Sequence, residues 1–144
     1  MSQRRAVYKV PRVSEHQEQA KFIAEVYLRY RLRDDFIPVL LFSVPNGLMI
    51  GGENKFAILA KFRAEGYKNG ISDLIYLQPR GPYTCLCIEM KAPDQQDKKD
   101  GGISPEQAEF LAAVNEAGGC GDVCYSADHA LKVFAAYMAQ EVRT

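Results

Sequence analysis

The sequence has no hydrophobic run that approaches the ~20 apolar residues of a membrane-spanning helix, which argues against a membrane protein. Residues 1–5 lack the hydrophobic segment of a secretory signal, so the expected location is cytoplasmic. No internal repeat is visible. The 144 residues, of which 47% are hydrophobic and 25% charged, have the size and composition of one globular domain.

Cysteine and histidine, the usual zinc ligands, are scarce. Cys-x-Cys and Cys-x3-Cys spacings on strand-like segments differ from the tight knuckles of structural zinc sites. Reduced thiols in the core are therefore the better interpretation. The four cysteines are Cys85, Cys87, Cys120 and Cys124. Both histidines are expected at the surface, near helix starts.

The net charge is zero, since 18 basic side chains balance 18 acidic ones. A zero net charge alone argues against a nucleic-acid partner. The distribution is uneven, however. Residues 1–72 hold 12 Lys and Arg against 7 Asp and Glu, whereas residues 73–144 hold 6 against 11. A neutral protein polarised in this way can still bind phosphates through local basic side chains. A solvated helix face is the alternative, and the charge pattern alone favours it.

Helix and strand signals alternate along the chain. Ser14 and Gln17 form a predicted capping box for a first helix, and residues 1–13 before it read as a basic N-terminal arm. The predicted order is helix, strand, helix, hairpin, helix, strand, helix, with the first strand at 36–44 and the second helix at 53–66. This order predicts one α/β domain over residues 14–144, with a mixed central sheet covered by helices on both sides.

The hairpin predicted between Gly70 and Lys91 is the most informative segment. Two strand-like runs, 70–77 and 83–91, flank a Pro/Gly turn. Asp73 and Glu89 both lie far from this turn, so an antiparallel pairing brings them together. The two-residue period of a strand places Lys91 on the same face as Glu89.

Two carboxylates and an ammonium group around one point predict a site for a hard divalent cation that supports phosphodiester hydrolysis. The backbone carbonyl of Met90 is a further candidate oxygen ligand. Lys91 would orient the attacking water or neutralise the developing negative charge. The alternative for a Glu-x-Lys triplet is an ordinary exposed strand face on which the charges pair across the sheet.

The same residues resemble the PD-(D/E)XK nuclease signature, in which an aspartate precedes a Glu-x-Lys triplet on the following strand. The wider pattern resembles the VRR-NUC family, the virus-type replication-repair nuclease domain, over nearly the whole chain. One departure is Ser72, where the family commonly has proline before the aspartate. The matching segments, in chain order, are 14–19, 44–47, 66–74, 88–91 and 103–107.

This resemblance implies the restriction-endonuclease-like fold of a DNA endonuclease that depends on Mg²⁺ or Mn²⁺. It implies that Asp73, Glu89 and Lys91 are catalytic. It also implies that Glu15 reaches the metal site from the first helix and that Gln107 lines it from a later one. Both have structural alternatives, because Glu15 lies near a positive helix end and Gln107 occupies the capping-box position of its helix.

Lys61 and Lys68 are candidate phosphate contacts, and Asn46 is a candidate contact to the DNA backbone, although turn chemistry explains Asn46 nearly as well. The expected substrate is a Holliday junction or other branched DNA, cut by a homodimer in a bacterial or phage-infected cell. Three alternatives stay open. They are a non-catalytic branched-DNA-binding module, a hydrolase acting on RNA, free nucleotides or unbranched DNA, and an interaction protein in which Glu-x-Lys is incidental.

Overall fold

A computed structural model describes residues 14–45 and 52–144 of the chain. The element order agrees with the one predicted from the sequence. The helices are α1 (Glu15–Tyr30), α2 (Lys55–Ala64), α3 (Pro105–Glu116) and α4 (Ala127–Met138), and the strands are β1 (Leu41–Ser43), β2 (Leu74–Tyr76), β3 (Leu86–Met90) and β4 (Cys120–Cys124). The predicted arm of residues 1–13 and the candidate Asn46 lie outside the described residues.

The four strands form one mixed sheet in the order β1-β2-β3-β4. The β1–β2 and β2–β3 pairs are antiparallel, whereas β3 and β4 are parallel and are connected through α3. A parallel pair requires such a crossover, because a tight turn reverses the chain. Every residue of β3 is buried, as expected for a strand with a neighbour on each side and helices on both faces.

Helices α1 and α4 pack on one face of the sheet and α3 packs on the other. The core on the α1/α4 side is rich in aromatic rings that meet mainly edge to face, centred on Phe134 and Tyr76. The Glu18 carboxylate accepts a hydrogen bond from the first N–H of α4, at Ala127, over 2.6 Å. This contact fixes the start of α4 against α1. The predicted mixed sheet flanked by helices is confirmed.

The first strand is shorter than the predicted span of 36–44. Residues Pro38–Leu40 form a 3-10 turn instead, and only Leu41–Ser43 pair with β2. Phe36 points into the aromatic core, 5.8 Å from the ring of Tyr76, and the Ile37 N–H donates to the Tyr76 hydroxyl. Proline cannot donate to a sheet ladder, so the apolar run before Leu41 packs as a turn.

The hairpin strands are likewise shorter than the predicted runs 70–77 and 83–91. The segment between β2 and β3 holds the buried side chain of Arg80, which donates to the Met138 carbonyl at the end of α4, and the Arg80 backbone pairs with Tyr83 in an isolated bridge. Helix α2 buries none of its side chains among the described residues, and Phe56 is 75% exposed. Within the parts of the chain that are described, no helix has the length and hydrophobicity to span a membrane.

Candidate active site

The ends of β2 and β3 bring the predicted site residues together. Leu74 pairs with Ile88 in the antiparallel ladder, so Asp73 lies opposite Glu89 one step further along. The carbonyl of Asp73 accepts a hydrogen bond from the Val44 N–H over 2.8 Å, which extends the β1–β2 ladder beyond its assigned strands. The backbone at Asp73 is therefore held between β1 and β3.

The Asp73 carboxylate does more than face Glu89. Its Oδ2 accepts a hydrogen bond from the backbone N–H of Met90 over 2.8 Å. A side chain thus supplies the acceptor that a continued β2 backbone would have provided, and it fixes the orientation of the carboxylate. This contact was not predicted from the sequence, although an aspartate at a strand start opposite a strand end is a signal for it.

Glu89 is almost completely buried, at 1% exposure, and its two oxygens have different surroundings. Oε1 accepts a hydrogen bond of 2.6 Å from Gln107 Nε2 and lies 3.2 Å from Lys91 Nζ. Oε2 is buried and has no hydrogen-bond partner among residues 14–45 and 52–144. Because a buried carboxylate oxygen without a donor is costly, Oε2 marks a position where a cation would be stabilising.

Gln107 makes two kinds of contact through its side-chain amide. Ser104 and Gln107 form the capping box of α3, with the Ser104 N–H donating to Gln107 Oε1 over 2.9 Å. The other end of the same amide donates to Glu89. The capping bond therefore sets the rotamer that presents Nε2 to the carboxylate, and the start of α3 is attached to the site.

Burial, together with the neighbouring Asp73 carboxylate, raises the pKa of Glu89 to about 7, and the Lys91 charge opposes this rise. Like charges opposite each other on antiparallel strands repel, which agrees with this shift. In the absence of a cation, Glu89 thus takes up a proton near neutral pH. A divalent ion between the carboxylates would favour the charged form.

The raised pKa predicts that the metal-free protein loses stability as the pH rises from about 5 to about 8. A glutamic acid has a pKa near 4.5 when unfolded, so between this value and about 7 the folded state binds the extra proton. One pKa unit corresponds to about 1.36 kcal/mol, which limits the loss to the order of 3 kcal/mol. Urea unfolding in EDTA at several pH values measures it.

Glu89→Gln is the control for this pH prediction, because it keeps the shape of the side chain and removes the titration. This variant is expected to show a flatter dependence of unfolding free energy on pH than the wild type. Equal slopes for both proteins would show that Glu89 does not titrate in this range.

The residues present fit a divalent cation with oxygen ligands. Mg²⁺ is commonly held by one or two carboxylates together with substrate phosphate, and Asp73 and Glu89 supply such a pair. No group of three His, Cys, Asp or Glu side chains within the described ranges is arranged to hold an ion. Glu15 accordingly does not complete a three-carboxylate cluster. It lines a cavity of about 310 Å³ together with Ala92, the residue that follows Lys91.

The other sequence candidates lie further out. Lys68 lines a cavity of about 640 Å³ between α3 and the segment after α2, whereas Lys61 is exposed on α2. The basic residues at the end of α1 are partly neutralised, since Arg29 pairs with Glu25 at 3.4 Å and Arg33 with Asp35 at 2.7 Å. All four cysteines are free thiols. Cys87 and Cys124 are buried, as predicted, whereas Cys85 and Cys120 are half-buried.

Comparison with known proteins identifies the family of the chain. The family model of the VRR-NUC domain matches residues 50–128, a span that contains Asp73, Glu89, Lys91 and Gln107. A solved structure described as a VRR_NUC domain protein superposes with a TM-score of 0.72 at 22% sequence identity, covering 92% of this chain and 94% of that one. No curated protein matches the chain. The matched span is more than half of the sequence, and the chain therefore belongs to the VRR-NUC family of nuclease domains.

Proposed function

We propose that the protein is an endodeoxyribonuclease that hydrolyses phosphodiester bonds in branched DNA, such as Holliday junctions, with Mg²⁺ or Mn²⁺. The observation that carries this proposal is the unequal environment of the two Glu89 oxygens. Oε1 has two donors, whereas Oε2 is buried without a hydrogen-bond partner among the described residues. This asymmetry is what a carboxylate that ligates a cation through one oxygen requires.

Asp73, Glu89 and the carbonyl of Met90 would hold the cation. When bound, it supplies Lewis-acid polarisation of the phosphate and a lowered pKa for the attacking water. The chain's own residues keep its ligands in place. The Met90 N–H orients the Asp73 carboxylate and Gln107 orients that of Glu89, so both are positioned before substrate arrives. Gln107 therefore acts through Glu89.

Lys91 is the basic side chain next to the carboxylates, at 8% exposure. Its ammonium group can donate to Glu89 and to a water or phosphate oxygen at the same time, because it has three N–H bonds. Its proposed role is to position the nucleophile and to stabilise the negative charge that develops on the phosphate. For Glu15, which lies beside Ala92, we propose a contact to the site through water or a second ion.

DNA is the proposed partner, with Lys61, Lys68 and Asn46 as contacts to its backbone. A second copy of the chain is part of the proposal, because one site cuts one strand and a branched junction presents two. The uneven distribution of charge supports DNA binding, since the excess of basic residues lies in residues 1–72.

Cleavage assays on a substrate panel test the proposed function. A four-way junction, a linear duplex, a single strand and an RNA of matched length are incubated with Mg²⁺, Mn²⁺ or EDTA. The junction is expected to be cut in both metals and not in EDTA. Cutting of RNA or of linear duplex in preference to the junction would refute the substrate, and junction binding without any product would identify a non-catalytic binding module.

Metal binding predicts a second, independent result. Mn²⁺ at about one hundred times its dissociation constant is expected to stabilise the folded protein by about 2.7 kcal/mol, which corresponds to about 5–10 °C in Tm. Glu89→Gln is expected to abolish most of this rise. Asp128→Asn, a change of the same type at a residue with 77% side-chain exposure on α4, should keep it. A Tm that does not respond to metal in the wild type would contradict the proposal.

A further inference from the structure

A cavity of about 640 Å³ lies between α3 and the segment that follows α2, outside the carboxylate site. We call it the α2–α3 cavity. Four of its residues occupy one face of α3 at spacings of three and four, namely Glu106, Glu109, Phe110 and Ala113. The opposite wall consists of Arg63, Tyr67, Lys68, Asn69 and Ile71. Its volume is within the range of sites that bind small organic molecules.

The walls of this cavity combine aromatic and charged groups. Tyr67 and Phe110 are half-buried, and neither ring packs against another aromatic ring of the described residues. Two cationic and two anionic side chains line the same space, yet none of them forms an ion pair within the described part of the chain. Aromatic rings together with charges of both signs suit a planar, polar ligand better than an aliphatic one.

The residues of both cavity walls are close in sequence to residues of the candidate active site. Ile71 lies two residues before Asp73, and Glu106 directly precedes Gln107, which holds Glu89. The two walls are also tightly packed where they meet. Gly70 has φ +82°, and a Cβ at that position would lie 2.5 Å from the backbone carbon of Glu106. Both walls of the cavity are therefore held in place by the same segments that carry Asp73 and Gln107.

We propose that the α2–α3 cavity binds one unpaired nucleotide of DNA next to the cleavage site, with a preference for bases that carry an exocyclic amino group. This inference rests on the proposed function, because it concerns the DNA that this site would cut. The base would stack on Tyr67 and Phe110, since base–aromatic stacking is the usual way to hold an unpaired base. Arg63 and Lys68 would contact its phosphate.

The two carboxylates give the preference for an amino group. Glu106 and Glu109 can accept N–H bonds from the amino groups of cytosine, adenine or guanine, whereas the corresponding edge of thymine presents a carbonyl oxygen and repels a carboxylate. Cytosine and thymine are both pyrimidines, so a comparison between them separates hydrogen bonding from differences in stacking area.

Binding is measured by fluorescence anisotropy on a labelled duplex with a five-nucleotide flap, in Ca²⁺ and without Mg²⁺ or Mn²⁺. The flap contains only cytosine, only thymine or only abasic residues. The wild-type protein is expected to bind the cytosine flap about fivefold more tightly than the thymine flap and about tenfold more tightly than the abasic flap. Equal affinities for the cytosine and abasic flaps overturn the proposal.

Two variants locate the effect in the cavity. Phe110→Leu keeps an apolar side chain of similar bulk and is expected to weaken cytosine-flap binding about tenfold, with little change for the abasic flap. Glu109→Ala is expected to reduce the cytosine-to-thymine ratio to about one. Glu116→Ala removes the same charge from an exposed position of the same helix outside the cavity and should leave the ratio unchanged. Equal ratios for these two glutamate variants overturn the proposal.

Junction cleavage by the wild-type protein in Mn²⁺ is recorded in parallel, so that the two proposals are judged separately. Cleavage without base discrimination overturns the cavity proposal and supports the nuclease function. Base discrimination without cleavage supports the cavity proposal and contradicts the nuclease function. Circular dichroism of each variant establishes that the fold is retained.

Discussion

Asp73→Asn is expected to lower the rate of junction cleavage by at least about 10²–10³-fold, the usual cost of losing one preorganised electrostatic contact in a catalytic site. The substitution removes one of the two carboxylates proposed to hold the cation. It also leaves an amide oxygen that can still accept the hydrogen bond from the Met90 N–H. The strand pairing around the site is therefore preserved, and a loss of cleavage by this variant reports on chemistry.

Asp73→Ala separates the structural part of this side chain from its chemical part. Alanine removes both the charge and the acceptor for Met90, so we expect a loss of stability in addition to the loss of cleavage, of about 1–3 kcal/mol for the unpaired donor. Asp73→Asn should lack most of that destabilisation. Cleavage rates from single-turnover assays and unfolding free energies from urea titration provide the comparison, with both variants measured beside the wild type.

Lys91→Met gives a matched test on the other side of the site. The Lys91 charge lowers the pKa of the buried Glu89, so its removal raises that pKa. The onset of cleavage is therefore expected at a higher pH in this variant. Asp73→Asn acts in the opposite direction, because it removes the negative charge that raises the pKa. Undiminished cleavage by Asp73→Asn or by Lys91→Met would refute the proposed site.

The central part of the site could be predicted from the sequence because local rules determine it. The turn between two strand-like runs makes them pair antiparallel, which places Asp73 opposite Glu89. The two-residue period of the strand places Lys91 on the same face as Glu89. The capping box of α3 was also readable, since serine and glutamine occur at the required spacing.

Contacts that depend on tertiary packing could not be predicted in the same way. The bond between Gln107 and Glu89 requires the distance between α3 and β3, which no local pattern encodes. The predicted strand at 36–44 was too long, because an apolar run is compatible with a turn as well as with a strand. The face of α3 that lines the α2–α3 cavity reads in the sequence as an ordinary half-buried helix face.

Arg80 is the clearest example of a residue whose importance is visible only in the structure. Its side chain is 1% exposed and lies between β2 and β3, where the sequence predicted only a Pro/Gly turn. Its guanidinium group donates to the carbonyls of Met138 at 2.7 Å and Asp35 at 2.5 Å, and to Gln78 Oε1 at 2.9 Å. These acceptors belong to the end of α4, the segment after α1 and the hairpin itself.

The stability of the folded protein should depend strongly on the hydrogen bonds of Arg80. Arg80→Met is expected to lower the free energy of unfolding by about 3–5 kcal/mol, as when one partner of a buried charged network is removed. Methionine fills part of the space but leaves the Met138 and Asp35 carbonyls without the Arg80 donor. Gln78 Oε1 keeps its hydrogen bond from the Tyr76 hydroxyl. Asp35→Asn is expected to cost about 1 kcal/mol or less, because the Asp35 side chain is one-third exposed and its carbonyl still accepts from Arg80.

Arg31→Met, at an exposed position, is the control for the loss of a surface arginine. Urea unfolding of the three variants measures these differences. An Arg80→Met cost equal to that of Asp35→Asn would show that the ion pair, and not the set of carbonyl contacts, accounts for the contribution of Arg80.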